Sequence, residues 1–160
     1  MRNYWENNLF PQFLNSIDDC TLLDLTTFVI QTQLGYLAVR ALNDFKFPKI
    51  SLDYEFDGDI NPETGQAFGY YFISNEVGQK EFNVILARMK YYWIEYQISQ
   101  ERLFSNIYYD RDIRLHSPGN TIDKLIKMST TFKNRADKAE FDYGRVSVIG
   151  DPVIGEINDE

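Results

Sequence analysis

The chain has few of the residues that build disulfides and metal sites. It holds one cysteine and one histidine in 160 residues. Cys20 cannot close a disulfide within the chain and stands in no spacing typical of a zinc or redox site, which suits a reducing compartment. No apolar run approaches membrane-spanning length, and the start MRNYWENNLF lacks an apolar signal segment. We therefore expect a soluble protein that is neither exported nor membrane-bound.

The sequence also lacks the common catalytic motifs. It contains no GxSxG, no phosphate-binding glycine loop and no HExxH. The single histidine, His116, is followed directly by Ser117, and adjacent side chains generally point apart, which does not favour a nucleophile–base pair. Ser117 suits the N-cap of a helix with Pro118 at its first position, or Asn120 caps it with Asp123 in a capping-box position. The segment is interpreted as a helix-launching turn, and no enzyme activity is expected.

One stretch, DGDINPETG, has a partial likeness to a calcium loop. Asp57, Asp59 and Asn61 match the first three ligand positions of an EF-hand. Pro62 stands where that loop requires glycine, and Phe68 stands where it requires the closing glutamate. Both failures fall at positions that set the loop geometry, so the stretch is interpreted as the turn of a hairpin. No metal and no cofactor are expected.

Helical periodicity is the strongest signal in the chain. Apolar residues recur at helical spacing in three segments. The segments are 18–45, about 76–109, and a third that starts at Pro118 or Asn120 and ends at residue 143, so three main helices are predicted. Gly35, in the first, is expected to allow close approach of a neighbour. The second is apolar on most sides, including its YYWIEYQ cluster, which favours a central helix over a base-stacking platform. The third has one apolar stripe, formed by Ile122, Leu125, Ile126, Ser129, Phe132, Ala136, Ala139 and Tyr143. The basic residues of this helix lie largely off that stripe: Lys124, Lys127, Lys133, Arg135 and Lys138.

A β-hairpin over about 48–74 is predicted between the first two helices. Apolar and polar residues alternate there, with the apolar positions at Ile50, Leu52, Tyr54 and Phe56. The alternation places three acids together on the other face: Asp53, Glu55 and Asp57. The chain before residue 18 is expected to be irregular. The predicted fold is α-rich (α+β): one domain, 1–145, in which three helices form a small bundle with an inserted hairpin, followed by an extended C-terminal tail, 146–160.

Charge is segregated along the chain. Residues 1–76 hold eleven acids and four Lys/Arg, residues 77–145 hold nine acids and twelve Lys/Arg, and residues 146–160 hold four acids and no base. The three segments therefore carry −7, +3 and −4 within a total of −8. This distribution does not resemble that of a duplex-DNA reader, which presents a dominant basic face. It suits head-to-tail pairing between copies, and equally the solvated faces of a monomer.

Three stretches together resemble the neck, or head–tail connector, proteins of tailed bacteriophages. They are DFKFPKISLDYEFD, then YYWIEYQISQERLF, then RDIRLHSPGNTIDKLIKMSTTFKNRADKAEFDYG. The likeness covers roughly residues 45–145 and is strongest in the last sixty of these. The positions that match the family pattern are Phe47-Pro48, Trp93-Ile94-Glu95, Ser117, Asn120, Leu125 and Tyr143.

The resemblance implies a helical adaptor that forms a ring of about twelve copies beneath the portal. It implies a virion protein of the neck, made in the host cytoplasm, with the portal and lower neck or tail proteins as partners and DNA passing through without specific binding. HSPGN would then launch the ring-forming last helix. An acidic hairpin face would line the channel through Asp53, Glu55, Asp57 and Asp59. The tail would order on the portal or a neighbouring copy through Val146, Val148, Ile149, Val153, Ile154 and Ile157.

A second function class stays open from the residues alone. Net charge and Asp-rich turns also suit a small acidic binding protein, such as a DNA-mimicking inhibitor of a host factor. A mimic should spread its acids over one continuous surface at phosphate-like spacing. The basic segment 77–145 argues against that arrangement.

Overall fold

The fold follows the predicted α-rich (α+β) plan. The computed structural model describes residues 2–17, 27–58, 69–108 and 118–145. Its elements are β1 (Asn3–Tyr4), α1 (Leu9–Leu14), α2 (Thr27–Asn43), β2 (Tyr54–Phe56), β3 (Tyr70–Phe72), α3 (Gln79–Tyr108) and α4 (Pro118–Arg145). The three predicted helices are α2, α3 and α4, and the predicted hairpin strands are β2 and β3. Most of the predicted hairpin tip and the whole tail 146–160 lie outside the described residues.

The expectation of an irregular N-terminal segment is wrong. Strand β1 pairs antiparallel with β3, which gives a three-stranded sheet in the order β1-β3-β2. Trp5 and Leu9 are fully buried. A strand of two residues and a helix of six are too short to produce a readable period, and Pro11 inside α1 looks like a helix breaker. The segment is therefore ordered by its burial.

The sheet presents an aromatic face to the core. Phe72, on the central strand, is 1% exposed and pairs with Tyr54 of β2. The Trp5 ring stacks on Tyr70 at 4.8 Å and lies 5.1 Å from the Tyr54 ring. Rings this close contribute beyond their buried area. The aromatic content of the chain is thus concentrated where the short sheet meets the helices.

The predicted strand alternation holds at three of its four apolar positions. Ile50, Leu52 and Tyr54 are half-buried and pack against the core. Phe56 is instead 63% exposed, so its predicted burial is wrong. It lies at the end of an edge strand, where its ring rests 5.2 Å from that of Tyr70.

Helix α2 meets the sheet through Gly35. A Cβ atom at this position would lie 2.8 Å from Cε2 of Tyr70, closer than side-chain carbons tolerate. The predicted close approach is confirmed, and Tyr70 of β3 is the neighbour. The small residue therefore sets the distance between the first long helix and the sheet.

Helix α3 is the central helix that the sequence predicts. It packs on α1, α2 and α4. Its buried side chains point in several directions and include Phe82, Val84, Ile85, Met89, Trp93, Ile94 and Ile98. Its length of 30 residues corresponds to about 45 Å. The other elements are arranged around it.

Helix α4 packs principally on α3 through the predicted stripe. Ser129, Ala136 and Tyr143 are buried, and most other stripe residues are half-buried. Ile126 departs from the prediction because it is 41% exposed at the edge of the contact. The basic residues predicted to lie off the stripe are exposed: Lys124, Lys127, Lys133, Arg135 and Lys138.

Replacing Gly35 with alanine should destabilise the fold. The clash with the Tyr70 ring is expected to outweigh the gain in helix propensity, for a net loss of roughly 1 kcal/mol of unfolding free energy. Urea denaturation measures it. Gly144→Ala in α4 is the matched control, because no atom of the described residues is found within 4 Å of its added Cβ. A Gly35→Ala chain as stable as Gly144→Ala would contradict the close contact.

Candidate interaction surfaces

Three polar contacts join α3 to α4 and are called here the α3–α4 seam. On α3 they involve Glu81, Arg88 and Glu95, which are seven residues apart and therefore share one side of the helix. Their main partners on the antiparallel α4 are Tyr143, Glu140 and Ser129. The two faces match only in one register, so the seam fixes how α4 lies on α3.

Tyr143 joins Glu81 and Lys49 at one end of the seam. Its hydroxyl donates to Oε1 of Glu81 at 3.0 Å and accepts from the backbone N–H of Lys49 at 3.1 Å. Nζ of Lys49 donates to the Tyr143 carbonyl at 2.6 Å and lies 4.5 Å from its ring centre. Glu81 also accepts from the backbone N–H of Gly78 at 3.0 Å, which caps α3. Burial, with a contribution from Glu81, raises the pKa of the Tyr143 hydroxyl.

Arg88 is the buried cation of the seam. Its side chain is 8% exposed, and it forms ion pairs with Glu140 and with Asp137, the latter at 3.4 Å. Oε1 of Glu140 also accepts from the backbone N–H of Lys46 at 2.7 Å. Within the described part of the chain, Nε of Arg88 has no hydrogen-bond acceptor.

A groove of about 540 Å³, called here the α4 groove, opens beside Arg88. Its apolar walls are Phe47 and Phe141, which are 76% and 64% exposed. Lys46 and Arg145 add two cations to the lining, and the Arg145 guanidinium lies 5.8 Å from the Phe141 ring centre. Asp137 and Glu140 supply the acids of the lining, through their pairing with Arg88. Two large exposed rings beside a buried arginine mark a surface built for contact.

A second groove of about 540 Å³ lies between α2 and α3. The Arg40 guanidinium sits 4.1 Å from the Tyr92 ring centre, and Trp93 stacks on Tyr96 at 5.7 Å. Tyr92 and Trp93 are buried, whereas Tyr96 is 38% exposed. The predicted core packing of the YYWIEYQ cluster is therefore confirmed for its central rings. They do not form an open row on which bases can stack.

Two acids of the predicted acidic hairpin face, Asp57 and Glu55, accept hydrogen bonds from neighbouring side chains. Asp57 accepts from Nη1 of Arg2 at 2.8 Å and from the Tyr4 hydroxyl at 2.7 Å. Glu55 accepts from the Tyr71 hydroxyl, which raises the pKa of that tyrosine. Tyr4 and Tyr71 come from β1 and β3, on which they are directly paired, and Arg2 immediately precedes β1. Sequence reasoning missed them because a two-residue strand gives no signal.

The remaining predicted acids of this face differ in what surrounds them. Asp53 is exposed and accepts from the Ser51 hydroxyl at 2.6 Å. Asp59 lies outside the described residues. The face that the structure describes therefore carries exposed Asp53 and Glu55, while Arg2 offsets the charge of Asp57.

Glu6 is a further acid at the end of the sheet that the sequence did not single out. Its Oε1 accepts from the backbone N–H of Gly69 at 2.8 Å, and its Oε2 has no partner in the described ranges. Burial, with a smaller contribution from the nearby Asp57, raises the pKa of this carboxyl. The ionised form of Glu6 is therefore disfavoured in the folded chain.

The structure describes Pro118 and Asn120 of the predicted helix-launching turn, and none of the predicted tail. Helix α4 begins at Pro118, which is the first of the two predicted starts. His116 and Ser117 lie outside the described residues, and Asn120 falls in the first turn of α4. All six tail residues predicted to dock also lie outside: Val146, Val148, Ile149, Val153, Ile154 and Ile157.

Comparison with protein-family models, curated proteins and solved structures finds no match for this chain. In the described ranges, no cluster of three or more potential metal-ligating side chains is present. Within the same ranges, no helix is long and apolar enough to cross a membrane. The surfaces above are therefore interpreted from their own chemistry.

Removing the Tyr143 hydroxyl tests the seam. Tyr143→Phe should lower the unfolding free energy by about 1–3 kcal/mol, because Glu81 loses a donor and the Lys49 amide loses its acceptor in a buried setting. Chemical denaturation measures the change. Tyr36→Phe is the control, since Tyr36 is 66% exposed and should change stability by less than about 0.5 kcal/mol. Equal effects of the two substitutions would contradict the stabilising role of the Tyr143 hydroxyl contacts.

Glu6 predicts a pH dependence of stability. Because its folded-state pKa is raised above the ordinary 4.5, its contribution to stability is complete below that pH and is lost as pH rises through the folded pKa. Glu6→Gln keeps an acceptor for the Gly69 N–H but cannot ionise. The wild type should therefore lose stability relative to Glu6→Gln as pH rises from about 4.5. Urea midpoints across this range would refute the assignment if the gap between the chains stayed constant.

Proposed function

We propose that this chain is a structural protein of the head–tail connector of a tailed bacteriophage, with no catalytic role. Copies form a ring beneath the portal and join head to tail around the DNA channel. The proposal rests on the family resemblance over roughly residues 45–145. It draws its structural support from the surface of α4.

The observation that carries the proposal is the one-sided packing of α4. This helix has 28 residues, and α3 is the element on which it principally packs. Its exposed side chains include several cations together with Ile126, Met128 and Phe141, which are 41%, 44% and 64% exposed. A long helix with a fixed register, exposed apolar side chains and a basic outer face is suited to bind another subunit.

Charge supplies a candidate partner for that face. Residues 1–76 carry a net −7, whereas 77–145 carry +3. A contact between α4 of one copy and the acidic N-terminal half of the next is heterologous, and such contacts form rings when the rotation between copies closes. The exposed cations also disfavour a DNA mimic, because they would interrupt its acidic surface.

Two of the acids on the sheet face suit the wall of a DNA channel. Asp53 and Glu55 are exposed and offer negative charge that repels phosphates. Asp57 contributes less because Arg2 is paired with it. In the proposed ring, DNA passes this face without specific binding. The tail 146–160 contacts the portal or a neighbouring copy.

Light scattering on size-exclusion fractions tests the proposed function. The chain should shift into a large complex of fixed stoichiometry when mixed with the portal ring of the phage that encodes it. The complex should weaken as ionic strength rises, because the contact is charged. A monomer or dimer that ignores both the portal and added neck proteins would contradict the proposal.

A further inference from the structure

We propose that the α4 groove binds residues 146–160 of a second copy of this chain. The inference rests on the self-association that the proposed function requires, but not on binding to the portal. It assigns an occupant to a surface that no contact in the described chain fills.

The apolar part of the groove requires a partner that buries it. Phe47 and Phe141 come from different elements, the segment after α2 and the last turns of α4. Both rings remain largely exposed although a packed core lies within a few residues of each. Burying the two phenylalanine rings against aliphatic side chains is favourable, so such side chains would be held between them.

The polar part of the groove favours an acidic partner. Arg88 is only 6% exposed, and its Nε has no acceptor among the described residues. Lys46 and Arg145 add two more cations to the lining, against the acids Asp137 and Glu140. The lining therefore has one excess positive charge, carried on its exposed side by Lys46 and Arg145, which favours an acidic segment.

Residues 146–160 have the matching composition. They hold four acids and no lysine or arginine. They also hold six β-branched aliphatic residues in two short runs: Val146, Val148, Ile149, Val153, Ile154 and Ile157. The aliphatic runs suit the two phenylalanine walls, and the acids suit the cations of the lining.

The position of the groove favours a second copy over the same chain. On α4 the groove is lined by Phe141, Gly144 and Arg145, and Phe141 lies one turn before the end of the helix. A chain returning to its own groove would have to reverse direction, and Gly150-Asp151-Pro152 is the turn-forming sequence available. Only the second aliphatic run would then reach the groove. A segment of this length spans up to about 50 Å when extended, which is enough to reach a neighbouring subunit.

Peptide binding to the full chain tests the inference without the portal. A fluorescein-labelled peptide of residues 146–160 is titrated with the full chain, and anisotropy reports binding, with a scrambled peptide as reference. Phe141→Ala should weaken binding at least about tenfold. Phe56→Ala is the matched control, because Phe56 is 63% exposed and lies on the sheet edge. Arg145→Glu should also weaken binding, whereas Lys127→Glu on the outer face of α4 should not.

Each outcome decides the inference. Binding that depends on Phe141 and Arg145 supports it. Equal weakening by the control variants, or no preference over the scrambled peptide, overturns it. A chain that stays monomeric at the assay concentration and binds the peptide only when its own tail carries Val153→Ser and Ile154→Ser would show that each copy fills its own groove, which also overturns it. A portal complex formed without peptide binding would leave the proposed function standing while this inference fails.

Discussion

The buried seam between α3 and α4 is the constraint on which the rest of the structure depends. Glu81, Arg88 and Glu95 repeat every seven residues, and each finds its partner on α4 in one antiparallel register. A shift by one turn would separate the buried Arg88 from Glu140, and an unpaired buried charge is strongly destabilising. The polar contacts therefore serve to specify position, in the manner of polar residues in coiled coils. The outer face of α4 is presented in one fixed orientation as a result.

The sheet and the N-terminal segment are linked to the same pair of helices, α3 and α4. Lys49, just before β2, contacts Tyr143 at the end of the seam. Gly35 lets α2 approach the Tyr70 ring, on which Trp5 stacks. These links join elements far apart in sequence to one helix pair. A helix pair held in this way can present several surfaces to different neighbours at once, which the proposed ring requires.

The sequence predicts the long helices because their periods extend over many residues, and it places the basic face of α4 correctly for the same reason. It fails for β1 and α1, which are too short to show a period and are ordered by burial of Trp5 and Leu9. It also misses the pairing of Asp57 with Arg2, because that contact joins residues 55 positions apart. The α4 groove is equally hidden, since Phe47 and Phe141 meet only after α4 has docked.

In the proposed ring, α4 meets the acidic half of a neighbouring copy. The most direct measurement is zero-length carbodiimide cross-linking of the assembled complex, made from a mixture of isotope-labelled and unlabelled chains and read by mass spectrometry. The account predicts mixed-label cross-links between α4 lysines, such as Lys127 and Lys138, and carboxylates within residues 1–76. Mixed-label cross-links that avoid α4, or cross-links found only within single copies, would contradict it.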